Sequence, residues 1–146
     1  MNQNQSIVVY WDTSAIVSAL FKDAHSEVAF SWARREGVHL ISTLALAETY
    51  AVISRIHRER FLAGVLVEAA VEALENGPWR QLHIGPKEEH VKKLASKWPL
   101  RGADLWHLAT AKTLQAEIPE LVLLTFDNRL KIAAQGEELS PDYLHI

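Results

Sequence analysis

Short apolar runs rich in Val, Ile and aromatic residues alternate along this chain with stretches patterned at helical spacing, and that alternation narrows the possible folds most. The runs are IVVYW (7–11), VHLIS (38–42), WRQLHI (79–84), LVLLTF (121–126) and YLHI (143–146), bounded by Gly, Pro or Asp. Between them, Val91, Leu94, Ala95 and Trp98 fall at the i, i+3, i+4, i+7 positions of one buried helix face. Leu62, Val65, Leu66, Ala69 and Ala73 repeat the pattern in a helix expected to end at Asn76-Gly77-Pro78. Further helices are predicted over 24–36, ending at Gly37, and from Gly102 to before Pro119. Strands alternating with helices predict a parallel sheet covered on both faces. The first and fourth runs are continuously apolar, as strands buried on both sides should be.

A length of 146 residues suits one core, and residues 6–146 are read as a single domain. The absence of cysteine excludes disulfides and thiolate metal sites and fits a reducing cytoplasm. The N-terminal MNQNQS is polar but not basic, and the apolar run after it is short and stops at Asp12, so neither a signal peptide nor a membrane span is expected. A net charge of −3 gives the chain no bulk attraction for nucleic acid. Two basic clusters, Arg55/His57/Arg58/Arg60 and Lys92/Lys93/Lys97/Arg101, are candidate local faces, although such runs are more often solvated helix surfaces.

In parallel sheets, ligands gather at the carboxyl ends of the strands, near the point where strand order reverses. Asp12 follows the first run and Asp127 the fourth, so neighbouring first and fourth strands would turn both carboxylates into one crevice. Glu48 shares a helix face with Leu44, Ala45, Ala51 and Val52, where a charge is costly unless it is paired or bound to metal. Its bland alternative is an intrahelical or cross-helix pair with Arg55 or another base. Asp104, just inside a helix start, serves dipole and capping needs if taken alone, and becomes a ligand candidate beside the other three. Crowded carboxylates raise one another's pKa, and chains usually keep such a cluster when a cation neutralises it. An all-oxygen set favours Mg²⁺ or Mn²⁺ over zinc, which points to a metal-dependent enzyme acting on phosphate esters.

Asp12 could also cap the following helix, but Thr13 and Ser14 could cap it equally well. Ser14 is open between a site hydroxyl and a cap. His107, one turn after Asp104, is open between orienting Asp104, contacting substrate and a structural role. Asp127-Asn128 alone would suit a turn or helix cap. Trp32, Trp98 and Trp106 fall on helical stripes and read as core or interface. There is no GxGxxG, GxxxxGK[ST], HExxH or GxSxG, and the seven histidines lack metal-ligand spacing.

Taken in order, DTSAIV, ALAETYAVISR, RGADLWHLATA and TFDNRL resemble the PIN domain, specifically the VapC-type toxins of toxin–antitoxin pairs, over nearly the whole chain. The resemblance implies a three-layer α/β/α fold with strand order 3-2-1-4-5 and a Mg²⁺- or Mn²⁺-dependent endoribonuclease. It puts the family's four acidic positions on Asp12, Glu48, Asp104 and Asp127, and its small hydroxyl residue on Thr13 or Ser14. It also implies a homodimer, RNA substrates of the tRNA or rRNA class, and a cognate antitoxin whose tail covers the acidic crevice. Relatives outside toxin–antitoxin pairs leave the biological role more open than the chemistry.

Two rival readings stand beside this one. A phosphoacceptor domain would use Asp12 as nucleophile, but it wants an adjacent Asp and a strand-end Lys, whereas the first lysine after LVLLTF is Lys131. A binding module without catalysis would capture a basic peptide in the same crevice.

Overall fold

The computed structural model describes residues 6–141. In chain order these form β1 (Ile7–Trp11), α1 (Thr13–Leu20), α2 (Ser26–Ala33), β2 (Gly37–Ser42), α3 (Thr43–Arg58) and α4 (Gly64–Asn76). There follow β3 (Trp79–Leu82), α5 (Glu88–Lys97), α6 (Gly102–Gln115), β4 (Val122–Leu124) and α7 (Asn128–Gly136). The strands pair in parallel in the order β3-β2-β1-β4. Order reverses at β1, whose two neighbours are β2 and β4, so the crevice opens at the carboxyl ends of β1 and β4. The strand expected at 143–146 lies outside the described residues.

Alternation along β1 divides the core. Val9 and Trp11 face a layer that includes Ile16, Trp32, Ile53, Val67 and Leu74 from α1–α4. Tyr10 faces the opposite layer, with Leu94, Leu108, Leu114 and Leu130 from α5–α7. The result is the expected three-layer α/β/α arrangement. Among the described residues, no helix is long and apolar enough to cross a membrane.

Several boundaries and one helix face differ from the sequence-based expectation. α2 starts later than predicted because the Asp23 carboxylate accepts the His25 amide at 2.8 Å and Ser26 Oγ accepts the Asp23 amide at 2.8 Å, which ties 23–26 into a turn. It stops at Ala33, and the chain re-enters the sheet at Gly37. There φ is +148°, and a Cβ would lie 2.1 Å from the Ile7 carbonyl oxygen, so only glycine fits. β3 and β4 are shorter than their apolar runs, which frees 125–127 to form the crevice wall.

The larger correction concerns α4. Its inward face is Val67, Ala70 and Leu74, whereas Leu62, Val65, Leu66, Ala69 and Ala73 are exposed. The helix carries apolar residues on two faces, and periodicity alone could not say which one meets the sheet. On α5, Val91, Leu94 and Trp98 turn inward as expected, but Ala95 is exposed.

Candidate active site

Asp12 leaves β1 with its backbone N–H bonded to the Leu124 carbonyl at 3.1 Å, so the last rung between β1 and β4 sets its position. Its side chain is the N-cap of α1. Oδ1 accepts the Ala15 amide at 2.9 Å and the Ser14 hydroxyl at 2.7 Å, and Oδ2 accepts the Thr125 hydroxyl. Thr13 and Ser14, which could have capped, do other work. Ser14 Oγ accepts the Phe126 amide at 3.0 Å and links α1 to the end of β4, while Thr13 Oγ1 donates to Glu48 at 2.7 Å. Asp12 is only 3% exposed. Burial pushes its carboxyl up to about 6, against the bonds from Thr125, Ser14 and Ala15, and Asp104 adds repulsion.

Glu48 sits on the edge of the buried stripe of α3 rather than within it. The stripe itself is Ala45, Thr49 and Ile53, and the Glu48 side chain keeps 36% exposure. Its partners are Thr13 and the base His107 on α6, so the cross-helix pairing of the bland alternative is present, with His107 in place of Arg55. His107 Nε2 lies 3.4 Å from Glu48 Oε1, and His107 Nδ1 lies 2.6 Å from the Tyr10 hydroxyl. His107 therefore serves Glu48 rather than Asp104. It is 2% exposed, and burial lowers its pKa despite the Glu48 carboxylate beside it.

Asp104 lies in the first turn of α6 but does not cap it, because the N-cap position is Arg101 and makes no side-chain cap bond. Burial raises its pKa first, then repulsion from Asp127 and Glu48, with Arg101 opposing. Asp127 caps α7 through the Leu130 amide at 3.0 Å, and its own amide donates to Thr125 Oγ1 at 3.1 Å. Asn128 begins α7 and is exposed beyond the cap.

Mutual repulsion thus joins Asp12 to Asp104, and Asp104 to Asp127 and Glu48. Among the described residues, no three His, Asp or Glu side chains are arranged to grip one ion unaided. Mg²⁺ does not require that. It keeps several waters and is commonly held by one or two carboxylates. Three donors on Asp12 leave about one of its four acceptor positions open, and Glu48 Oε2 has no hydrogen bond among the described residues. These oxygen donors fit a hydrated divalent cation better than a closed cage.

Thr125 and Tyr10 belong to the site's support and escape a reading of the sequence. Thr125, 6% exposed, bridges Asp12 and Asp127, and its only signal is a hydroxyl at the end of an apolar run. Tyr10 looks like any aromatic strand residue until α6 places His107 against it. The second basic cluster is partly neutralised, since Lys92 pairs with Glu88 at 3.1 Å and Lys97 with Glu137 at 2.8 Å.

Known proteins share this framework. Ribonuclease VapC35 of Mycobacterium tuberculosis is 29% identical over 138 residues, which span 91% of this chain and 94% of that protein. The crystal structure of M. tuberculosis VapC20, a sarcin-ricin loop cleaving toxin, aligns with a TM-score of 0.57 at 17% identity, covering 86% of this chain and 94% of the other. PAE2754 of Pyrobaculum aerophilum aligns at 0.58 and 18% identity, covering 89% and 87%. At these identities, the two structural likenesses speak for the fold. The sequence also matches the PIN domain over residues 9–136, and the chain belongs to that family.

Proposed function

We propose that this protein is a divalent-cation-dependent endoribonuclease of the VapC type, the toxin of a toxin–antitoxin pair. The observation that carries the reading is that Asp104 repels Asp12 and is itself repelled by Asp127 and Glu48, all four lying round the carboxyl ends of the strands. The name of the ribonuclease relative supports ribonuclease chemistry, and an RNA of the tRNA or rRNA class is the proposed substrate.

Four carboxylates would repel a phosphodiester, so the crevice accepts RNA only once its charge is offset. Mg²⁺ or Mn²⁺ held by these carboxylates would supply that offset and would contribute water activation and phosphate polarisation. Asp12, fixed by three donors, is the rigid ligand, and Glu48 offers Oε2 from the facing helix. Asp104 and Asp127 close the other side from the starts of α6 and α7. The exposed Arg101, whose charge acts on Asp104, would serve as a contact for a backbone phosphate at the rim. No second aspartate adjoins Asp12 and the first lysine after β4, Lys131, lies within α7, which speaks against a phosphoryl-accepting nucleophile.

The cognate antitoxin would lay a basic tail into the same crevice. The exposed apolar residues Phe61, Val65 and Leu66 suit a homodimer or antitoxin contact, and the cytoplasm is the setting. The test is cleavage of labelled RNA with Mn²⁺ by wild type and by Glu48→Gln and Asp104→Asn. Cleavage by wild type alone supports the reading. Full cleavage by both variants would overturn it.

A further inference from the structure

We propose that Tyr10 and His107 form a buried positioning relay that presents one oxygen of Glu48 to the crevice. The inference rests on the nuclease reading of Glu48 and adds two residues that touch neither phosphate nor cation. Tyr10 has no exposure and His107 is 2% exposed. The His107 ring is held edge-on by Tyr10 at 5.7 Å and by Trp106 at 5.6 Å between centroids, so it has little freedom to turn.

The direction of the hydrogen bonds follows from what each atom faces. Nε2 faces a carboxylate oxygen, Glu48 Oε1, at 3.4 Å. A bare nitrogen lone pair there would oppose an oxygen lone pair, so Nε2 carries the ring proton. Nδ1 is then an acceptor, and the Tyr10 hydroxyl donates to it at 2.6 Å. Thr13 Oγ1 donates to the same Glu48 oxygen at 2.7 Å. With Oε1 taken from both sides, Oε2 is the oxygen left for the crevice. One donor comes from α1 and the other from α6, so Glu48 is aimed by elements that also carry or adjoin Asp12 and Asp104. Partners of this kind behind a ligand typically change metal affinity about 10–100-fold when removed.

Three variants and one spectrum test the relay. Tyr10→Phe keeps the ring and removes the proton that holds Nδ1. His107→Asn keeps an acceptor near Nδ1 and loses the donor to Glu48, while His107→Gln restores a donor near the Nε2 position. By calorimetry with Mn²⁺ alone, Tyr10→Phe and His107→Asn should bind about tenfold more weakly than wild type, with His107→Gln recovering most of the loss. A purely structural histidine would show no such rescue. Independently of metal and of variant folding, long-range ¹H–¹⁵N NMR of the wild type should find the proton of His107 on Nε2. A proton on Nδ1 would overturn the relay. So would wild-type Mn²⁺ affinity in folded Tyr10→Phe and His107→Asn while Glu48→Gln is impaired, a result that leaves the nuclease reading standing. Wild-type protein that takes up no Mn²⁺ would remove the nuclease reading and the relay with it.

Discussion

Replacing Asp12 by Asn should stabilise the metal-free protein while destroying its activity, because the charge needed for a cation is costly without one. Asn keeps the size of the side chain, and its oxygen can still accept from Ala15 and Ser14. Its new amide would face Thr125, whose hydroxyl can turn from donor to acceptor. What disappears is an ionised group at 3% exposure. Burial lifts the Asp12 carboxyl from 3.8 to about 6, so the folded state holds a proton that the unfolded chain releases, and stability falls as pH rises through that interval. Above pH 6 the penalty is complete at about 3 kcal/mol, and below pH 3.8 it vanishes. A chain of this size gains about 2–4 °C in Tm per kcal/mol. Scanning calorimetry in EDTA at pH 8 should therefore place Asp12→Asn about 6–12 °C above wild type, and the gap should close near pH 4. Mn²⁺ should raise the melting temperature of wild type and not of the variant. A variant that melts at or below wild type at pH 8 would show that the buried Asp12 charge does not cost the fold stability.

The remaining expectations concern the support of the site and the fold. Thr125→Val removes the hydroxyl that donates to Asp12 and accepts from the Asp127 amide, so RNA cleavage should drop about tenfold or more. The acid limb of its pH–rate profile should also move up, because Asp12 loses its strongest counter to burial. Gly37→Ala should cost several kcal/mol in urea denaturation, since its Cβ would meet Ile7 backbone atoms at 2.1–2.9 Å. Glu137 accepts Trp98 Nε1 at 2.9 Å and pairs with Lys97 at 2.8 Å and Lys112 at 3.3 Å, so Glu137→Ala should cost about 1–3 kcal/mol. Burial works to raise the Glu137 pKa, but Lys97, Trp98 and Lys112 outweigh it and hold it low. Its contribution is thus present at neutral pH and lost as pH falls through the folded value, opposite in sign to Asp12, and acid titration of the two variants should separate them.

The sheet was legible because buried parallel strands must be apolar on both faces, and IVVYW and LVLLTF show it without interruption. From those runs and their terminal aspartates, the crevice between β1 and β4 followed. The inward face of α4 was not legible. Two apolar stripes compete on that helix, and packing against α3 and α1 selects Val67, Ala70 and Leu74. At Asp12 capping and the proposed ligand role are not exclusive, since the carboxylate caps α1 and keeps about one acceptor position. The support beneath the carboxylates was least visible. Thr125 and Tyr10 meet Asp12 and His107 across 113 and 97 residues of chain, and no local pattern encodes such pairings.

In the proposed enzyme the four carboxylates share a cation. Crystals soaked in Mn²⁺ and measured near the manganese absorption edge test it most directly. An anomalous peak among Asp12, Glu48, Asp104 and Asp127, absent from Asp12→Asn crystals, is the predicted result. An empty crevice at saturating Mn²⁺, or a peak bound only elsewhere on the surface, would contradict it.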